Sequence, residues 1–136
     1  MANDKKKYGF ETRLTHTGRA GKQVHGFVNP PLHRGSTVLQ PTIAARREAA
    51  KHRLDQQLIY GVMGNPTHYA LEDVIAEIEG GTRCQIVSSG LAAVTTPLLA
   101  YLKSGDHCLM PDSVYGPSRG FAVEVSYQLA IPSMYL

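Results

Sequence analysis

Cys84-Gln85-Ile86-Val87-Ser88-Ser89-Gly90-Leu91 reads as a short strand, a turn of small residues and the start of a helix. Ile and Val favour a pleated backbone, and Ser-Ser-Gly supplies turn chemistry. The helix runs from Leu91 to Lys103, with Pro97 removing one backbone donor and predicting a kink. Upstream, Leu71, Val74, Ile75 and Ile78 fall at i, i+3, i+4 and i+7. That spacing predicts an amphipathic helix with Glu72, Asp73, Glu77 and Glu79 facing water, ended by Gly80-Gly81. Downstream, Gly105-Asp106 turns the chain and His107 to Met110 forms a second short strand. Helix, strand, helix and strand joined by short connections predict an α/β domain with a parallel sheet.

Towards the N-terminus the pattern changes. Residues 1–41 hold few periodic apolar runs, and Asn29-Pro30-Pro31 and Gln40-Pro41 force extended backbone. This stretch reads as an arm that lies on another surface. Thr42 is a candidate N-cap for a helix from Ile43 to Gln57, rich in Ala, Arg, Glu, Lys and Leu. Tyr60 to Thr67 is a loop broken by Gly61, Gly64 and Pro66.

The composition suits one soluble globular domain: 136 residues, 43% hydrophobic, 18% charged, net charge +3. Lys5-Lys6-Lys7 is the one basic run of three, and it reads as a solvated end instead of a nucleic-acid arm. No stretch approaches the roughly 20 apolar residues of a membrane helix, and no apolar run follows the N-terminal charges as in a secretory signal. Cys84 and Cys108 make no disulfide framework, so a reduced, cytoplasmic setting is expected. Neither the cysteines nor the scattered histidines have metal-ligand spacing, so no metal is expected. The GxGxxG motif is absent from the sequence.

Three motifs carry chemistry. Backbone N–H groups at the start of the Leu91 helix lack internal partners, and the helix dipole is positive there, so Ser88-Ser89-Gly90-Leu91 can receive a phosphate. Plain turn and cap chemistry is the alternative. The hydroxyl of Tyr60, on its Gly/Pro-braced loop, can donate to a phosphate oxygen or simply pack on a neighbouring helix. Tyr115, in Asp112-Ser113-Val114-Tyr115-Gly116, can stack on an aromatic cofactor or be buried in a core.

Taken together and in this order, Thr15-His16-Thr17-Gly18-Arg19, Val28-Asn29-Pro30-Pro31, Gly35-Ser36-Thr37-Val38, Tyr60 with Gly64-Asn65-Pro66-Thr67, Ser88-Ser89-Gly90-Leu91 and Asp112-x-x-Tyr115-Gly116 resemble the N-terminal third of the pyridoxal-phosphate (PLP) enzymes of cysteine and methionine metabolism. The resemblance runs to about Arg119. It implies the N-terminal part of the large domain of the aspartate-aminotransferase-like fold (fold type I), with an incomplete parallel sheet. It also implies PLP as cofactor, a small sulfur amino acid as substrate and a homotetrameric parent in the cytoplasm. Within the family it points to α,β-elimination of cystathionine to homocysteine, pyruvate and ammonia in methionine biosynthesis. γ-lyase or γ-synthase chemistry is the alternative, as is a non-catalytic module that binds a full-length paralogue. By resemblance, Tyr60 binds the phosphate of a PLP held mainly by a neighbouring subunit. Gly90 and Leu91 offer N–H groups to this subunit's own PLP phosphate, Tyr115 stacks on the pyridine ring, and the arm of residues 1–59 wraps a partner.

Two departures stand out. Many members carry Tyr-x-Arg where this chain has Tyr60-Gly61-Val62, and valine cannot make arginine's charge-assisted bond to phosphate. The family's Schiff-base lysine lies in Ser-x-Thr-Lys, but Lys5, Lys6, Lys7, Lys22, Lys51 and Lys103 all lack a preceding Ser or Thr, so no catalytic residue is assigned. The expected organisation is therefore an arm with a helix over 1–59, part of the PLP-binding domain over 60–119, and a divergent tail over 120–136 that reads as frameshifted, in a product inactive on its own.

Overall fold

The computed structural model describes residues 7–19, 25–129 and 133–135. In chain order it contains α1 (Phe10–His16), α2 (Ile43–Lys51), α3 (Pro66–Glu79), α4 (Gly90–Tyr101), β1 (Cys108–Met110), α5 (Gly116–Leu129) and β2 (Ser133–Tyr135). The chain divides into two compact units, the first ending at Gln85 and the second starting at Ile86.

In the first unit, helix starts follow the capping chemistry of the sequence. Thr42 is extended, and its hydroxyl accepts from Ala45 N–H at 3.0 Å. α2 stops at Lys51, short of the expected Gln57. Arg83 causes the early stop: it binds the Asp55 carboxylate at 2.6 Å and the Leu54 carbonyl, which holds residues 52–56 in a turn. Gln56 takes a left-handed φ of 55°. The Arg83 hydrogen bond, then that from His52, holds the Asp55 carboxyl below its ordinary 3.8. The arm also contains α1, which the sequence did not suggest. Gly80 caps α3 in the left-handed region (φ 65°), as expected.

α3 departs in part from the expected orientation of its faces: Glu79 faces water as expected, but Glu72 does not. Glu72 is buried, whereas Leu71, Ile75 and Ile78 are exposed. Arg13 on α1 reaches Glu77 at 2.7 Å, and Gln56 donates to Glu72 at 3.3 Å and to Asp73 at 3.2 Å. Helical periodicity separates two faces but does not say which one the rest of the chain covers. Here polar partners from α1 and the 52–56 turn cover the acidic one.

Cys84–Val87, which spans the division at Gln85, leads to α4 with no strand assigned, which corrects the expectation of a strand there. A strand is assigned by its ladder, and the ladder recorded among the described strands joins β1 to β2. Pro97 sits inside α4, which runs from Gly90 to Tyr101. β1 matches the expected strand, and β2 lies parallel to it, Cys108 opposite Ser133 and Met110 opposite Tyr135. α5 makes the crossover between the two strands and packs against α4. Both α5 and β2 draw on the stretch 120–136.

The buried apolar set among the described residues is small: Met110 on β1 and Ala122 on α5, with Ser118 one turn before Ala122. Phe27, Val28, Leu32, Leu39 (92% exposed), Ile43, Tyr101 and Leu109 stay in solvent. Contiguous exposed apolar surface drives association. The isolated chain is therefore expected to form concentration-dependent oligomers in light scattering at micromolar concentration. A monodisperse monomer with a cooperative melt contradicts this.

Candidate functional site

Tyr60 sits where the arm meets the loop before α3. It forms an antiparallel bridge with Thr37, and the next N–H, from Gly61, donates to Ser36 O at 2.6 Å. Met63 N–H returns to Tyr60 O at 2.9 Å and closes a tight turn. The tyrosine remains 43% exposed. The contact is close because residue 61 has no side chain: a Cβ there would strike the Gly35 carbonyl oxygen.

Asn65-Pro66-Thr67 is an anchor that motif reading did not foresee. Asn65, 7% exposed, caps α3 through Oδ1, accepting from Thr67 N–H at 3.0 Å and His68 N–H at 3.4 Å. Its Nδ2 donates to His33 O at 3.4 Å. The Thr67 hydroxyl donates to Pro31 O at 2.9 Å and accepts from His33 N–H at 2.8 Å. Asn followed by Pro is an N-cap and N1 signature, so the cap was legible, but the grip on Pro31–His33 was not.

The second unit carries the other three residues. Ser89 is extended (φ −158°, ψ 161°), and its hydroxyl accepts from Ala92 N–H at 3.1 Å, while its carbonyl takes Ala93 N–H at 3.0 Å. Two of the first-turn donors are thus used. The N–H groups of Gly90 and Leu91 have no protein acceptor among the described residues. A Cβ on Gly90 would meet nothing within 4 Å, so the helix start opens onto free space. Tyr115 precedes α5 and its carbonyl accepts from Ser118 and Arg119 N–H at 2.9 and 3.2 Å. Arg119 also donates to Asp112 at 3.0 Å across the turn. The Tyr115 ring is 67% exposed, which rules out core burial in this structure. Gly90, Leu91 and Tyr115 thus share one unit, and Tyr60 belongs to the other. No group of His, Cys, Asp and Glu among the described residues could hold a metal ion.

Residues 11–136 match the family model described as Cys/Met metabolism PLP-dependent enzyme. The chain belongs to this family. It is 38% identical over 129 residues to a cystathionine beta-lyase of Haemophilus influenzae, covering 95% of this chain and 33% of that protein. It is 42% identical over 127 residues to a putative cystathionine beta-lyase of Rhizobium johnstonii, covering 93% and 31%. The fold resembles the crystal structure of cystathionine gamma-lyase from Lactobacillus plantarum, with a TM-score of 0.75 and 26% identity over 95% of this chain and 31% of that one. The chain therefore has the fold of the N-terminal part of a fold type I PLP enzyme. It spans about a third of the length of the relatives it matches.

The donor set fits the family's cofactor in kind. Two adjacent helix-start N–H groups suit a phosphate, and an open aromatic face suits a pyridine ring. No helix among the described residues is long and apolar enough to cross a membrane.

Proposed function

We propose that this chain is the N-terminal, cofactor-gripping part of a PLP-dependent carbon–sulfur lyase of the cystathionine β-lyase type, which converts cystathionine to homocysteine, pyruvate and ammonia. The observation that carries the proposal is the start of α4, where capping uses the Ala92 and Ala93 donors and leaves those of Gly90 and Leu91 for an anion. The open ring of Tyr115 supports a stacking role. In this reading Tyr60 donates its hydroxyl to the phosphate of a cofactor held by a partner subunit, supported by its exposure, and the exposed apolar residues of the arm support wrapping onto that partner. When bound, PLP supplies the electron sink for the carbanion left by loss of the substrate's α-proton. This chain's own part is to bind and orient.

Gly90→Pro tests the grip directly. Ser89 is already extended, the conformation proline requires of its predecessor, and proline is tolerated in a first helical turn, so the substitution removes one donor and spares the helix. PLP binding followed by ³¹P NMR is expected to weaken about tenfold, the scale of one hydrogen bond to a charged group, while Gly90→Ala binds like the wild type. Equal binding of PLP and phosphate-free pyridoxal by the wild type would refute the phosphate site. For the whole protein, pyruvate released from cystathionine supports the β-type reading, and 2-oxobutyrate supports the γ-type suggested by the structural likeness to the Lactobacillus enzyme.

A further inference from the structure

We propose that Tyr69 is a positioning residue that clamps the loop carrying Tyr60, an inference that rests on the reading of Tyr60 as a phosphate donor. Tyr69 lies in the first turns of α3, outside every motif that reading uses. Its hydroxyl donates to the Gln57 carbonyl at 3.2 Å, at the start of the loop. Its ring lies against Gly64 at the loop's other end: a Cβ on Gly64 would come 2.5 Å from Cε1 and 3.1 Å from the hydroxyl oxygen. Gly64 has φ 143°, a conformation side chains rarely adopt, so the backbone there is held flat against the ring. One side chain thus fixes both ends of the segment from Gln57 to Gly64, and Tyr60 sits between them.

Tyr69 is itself fixed. Its backbone N–H donates to Asn65 O at 3.0 Å, in the capped start of α3. Other ties on the loop are the Thr37–Tyr60 bridge, the Gly61–Ser36 hydrogen bond and Gln40, whose side chain donates to Leu58 O at 3.0 Å. These come from the arm. Tyr69 holds this loop from the helix side, at both of its ends. The geometry makes it a determinant of where the Tyr60 hydroxyl stands.

The test uses the full chain, amide hydrogen exchange read residue by residue, and PLP as the probe. Tyr69→Phe removes only the hydroxyl, and Tyr69→Leu removes the ring as well. Tyr69→Phe is expected to speed exchange at Gly61 and Met63 about fivefold, the scale of one neutral hydrogen bond, with the α4 amides unchanged. Tyr69→Leu is expected to speed it further. PLP binding should weaken about fivefold in the wild-type background and not at all in a Tyr60→Phe background, because Tyr69 acts through Tyr60. Unchanged loop exchange in both variants overturns the clamp. Equal weakening of PLP binding in both backgrounds overturns action through Tyr60. If Tyr60→Phe alone leaves PLP binding unchanged, the role of Tyr60 fails and the positioning role fails with it. Loop exchange in the same samples then shows separately whether the clamp exists.

Discussion

Gly61→Ala is expected to destabilise the first unit by about 3 kcal/mol, at the upper end of overpacking costs, and to release Tyr60 from its place. The added methyl would run into the Gly35 carbonyl oxygen and lie 2.9 Å from the Gly35 carbonyl carbon and 3.3 Å from Ser36 O. All three atoms are backbone, so no side chain can rotate away. Relief requires the two backbones to separate, which breaks the 2.6 Å bond from Gly61 N–H to Ser36 O and the adjoining Thr37–Tyr60 bridge. Gly35→Ala is the control, since a Cβ there meets nothing within 4 Å. Urea unfolding, with amide exchange at Met63, measures both effects. A Gly61→Ala midpoint equal to that of Gly35→Ala sinks the steric account.

Asn65→Ala is expected to cost about 2 kcal/mol, combining a lost N-cap with a weakened hold on the arm. The substitution strands the Thr67 and His68 N–H groups at the start of α3 and removes the donor to His33 O. Asn65→Asp keeps the acceptor, adds negative charge at the positive end of the helix and loses only the donor, so it should cost much less. Thr67→Val separates the two contributions: it leaves the cap and removes both hydroxyl contacts to Pro31 and His33. Thermal melts by far-UV circular dichroism should rank the variants Asn65→Ala, then Thr67→Val, then Asn65→Asp. Equal melts for the Ala and Asp variants contradict the capping account.

What the sequence made legible is local. Thr42, Asn65 and Ser89 each cap a helix because a short polar side chain can reach an N–H two or three residues on, and that reach needs no distant partner. Gly80 is legible for the same reason. The phosphate-type helix start at Gly90 was legible because cap and turn residues sit together in the chain. What could not be read depends on remote partners. Cys84–Val87 has strand composition but is assigned no strand, because a ladder depends on residues elsewhere in the chain. The acidic side of α3 is covered because Arg13 and Gln56 come from far along the chain. α5 starts at Gly116-Pro117, where glycine and proline mask a helix start that the Tyr115 carbonyl secures. The hold of Tyr69 on Gln57 was hidden because a tyrosine on a helix gives no sign of where its hydroxyl ends.

The parallel pairing of β1 and β2 also sets an order of events. Strands that run the same way cannot be closed by a tight turn, so the whole of α5 must be crossed before the backbones of Met110 and Tyr135 come into register. The caps at Thr42, Asn65 and Ser89 close within one helical turn, on the microsecond scale of helix formation. Long-range pairing carries the entropy of a large loop and comes late. During folding, and during synthesis from the N-terminus, the helix start at Gly90 is thus in place well before β1 and β2 pair, and the Cys108–Met110 edge waits unpaired until Ser133–Tyr135 has been made.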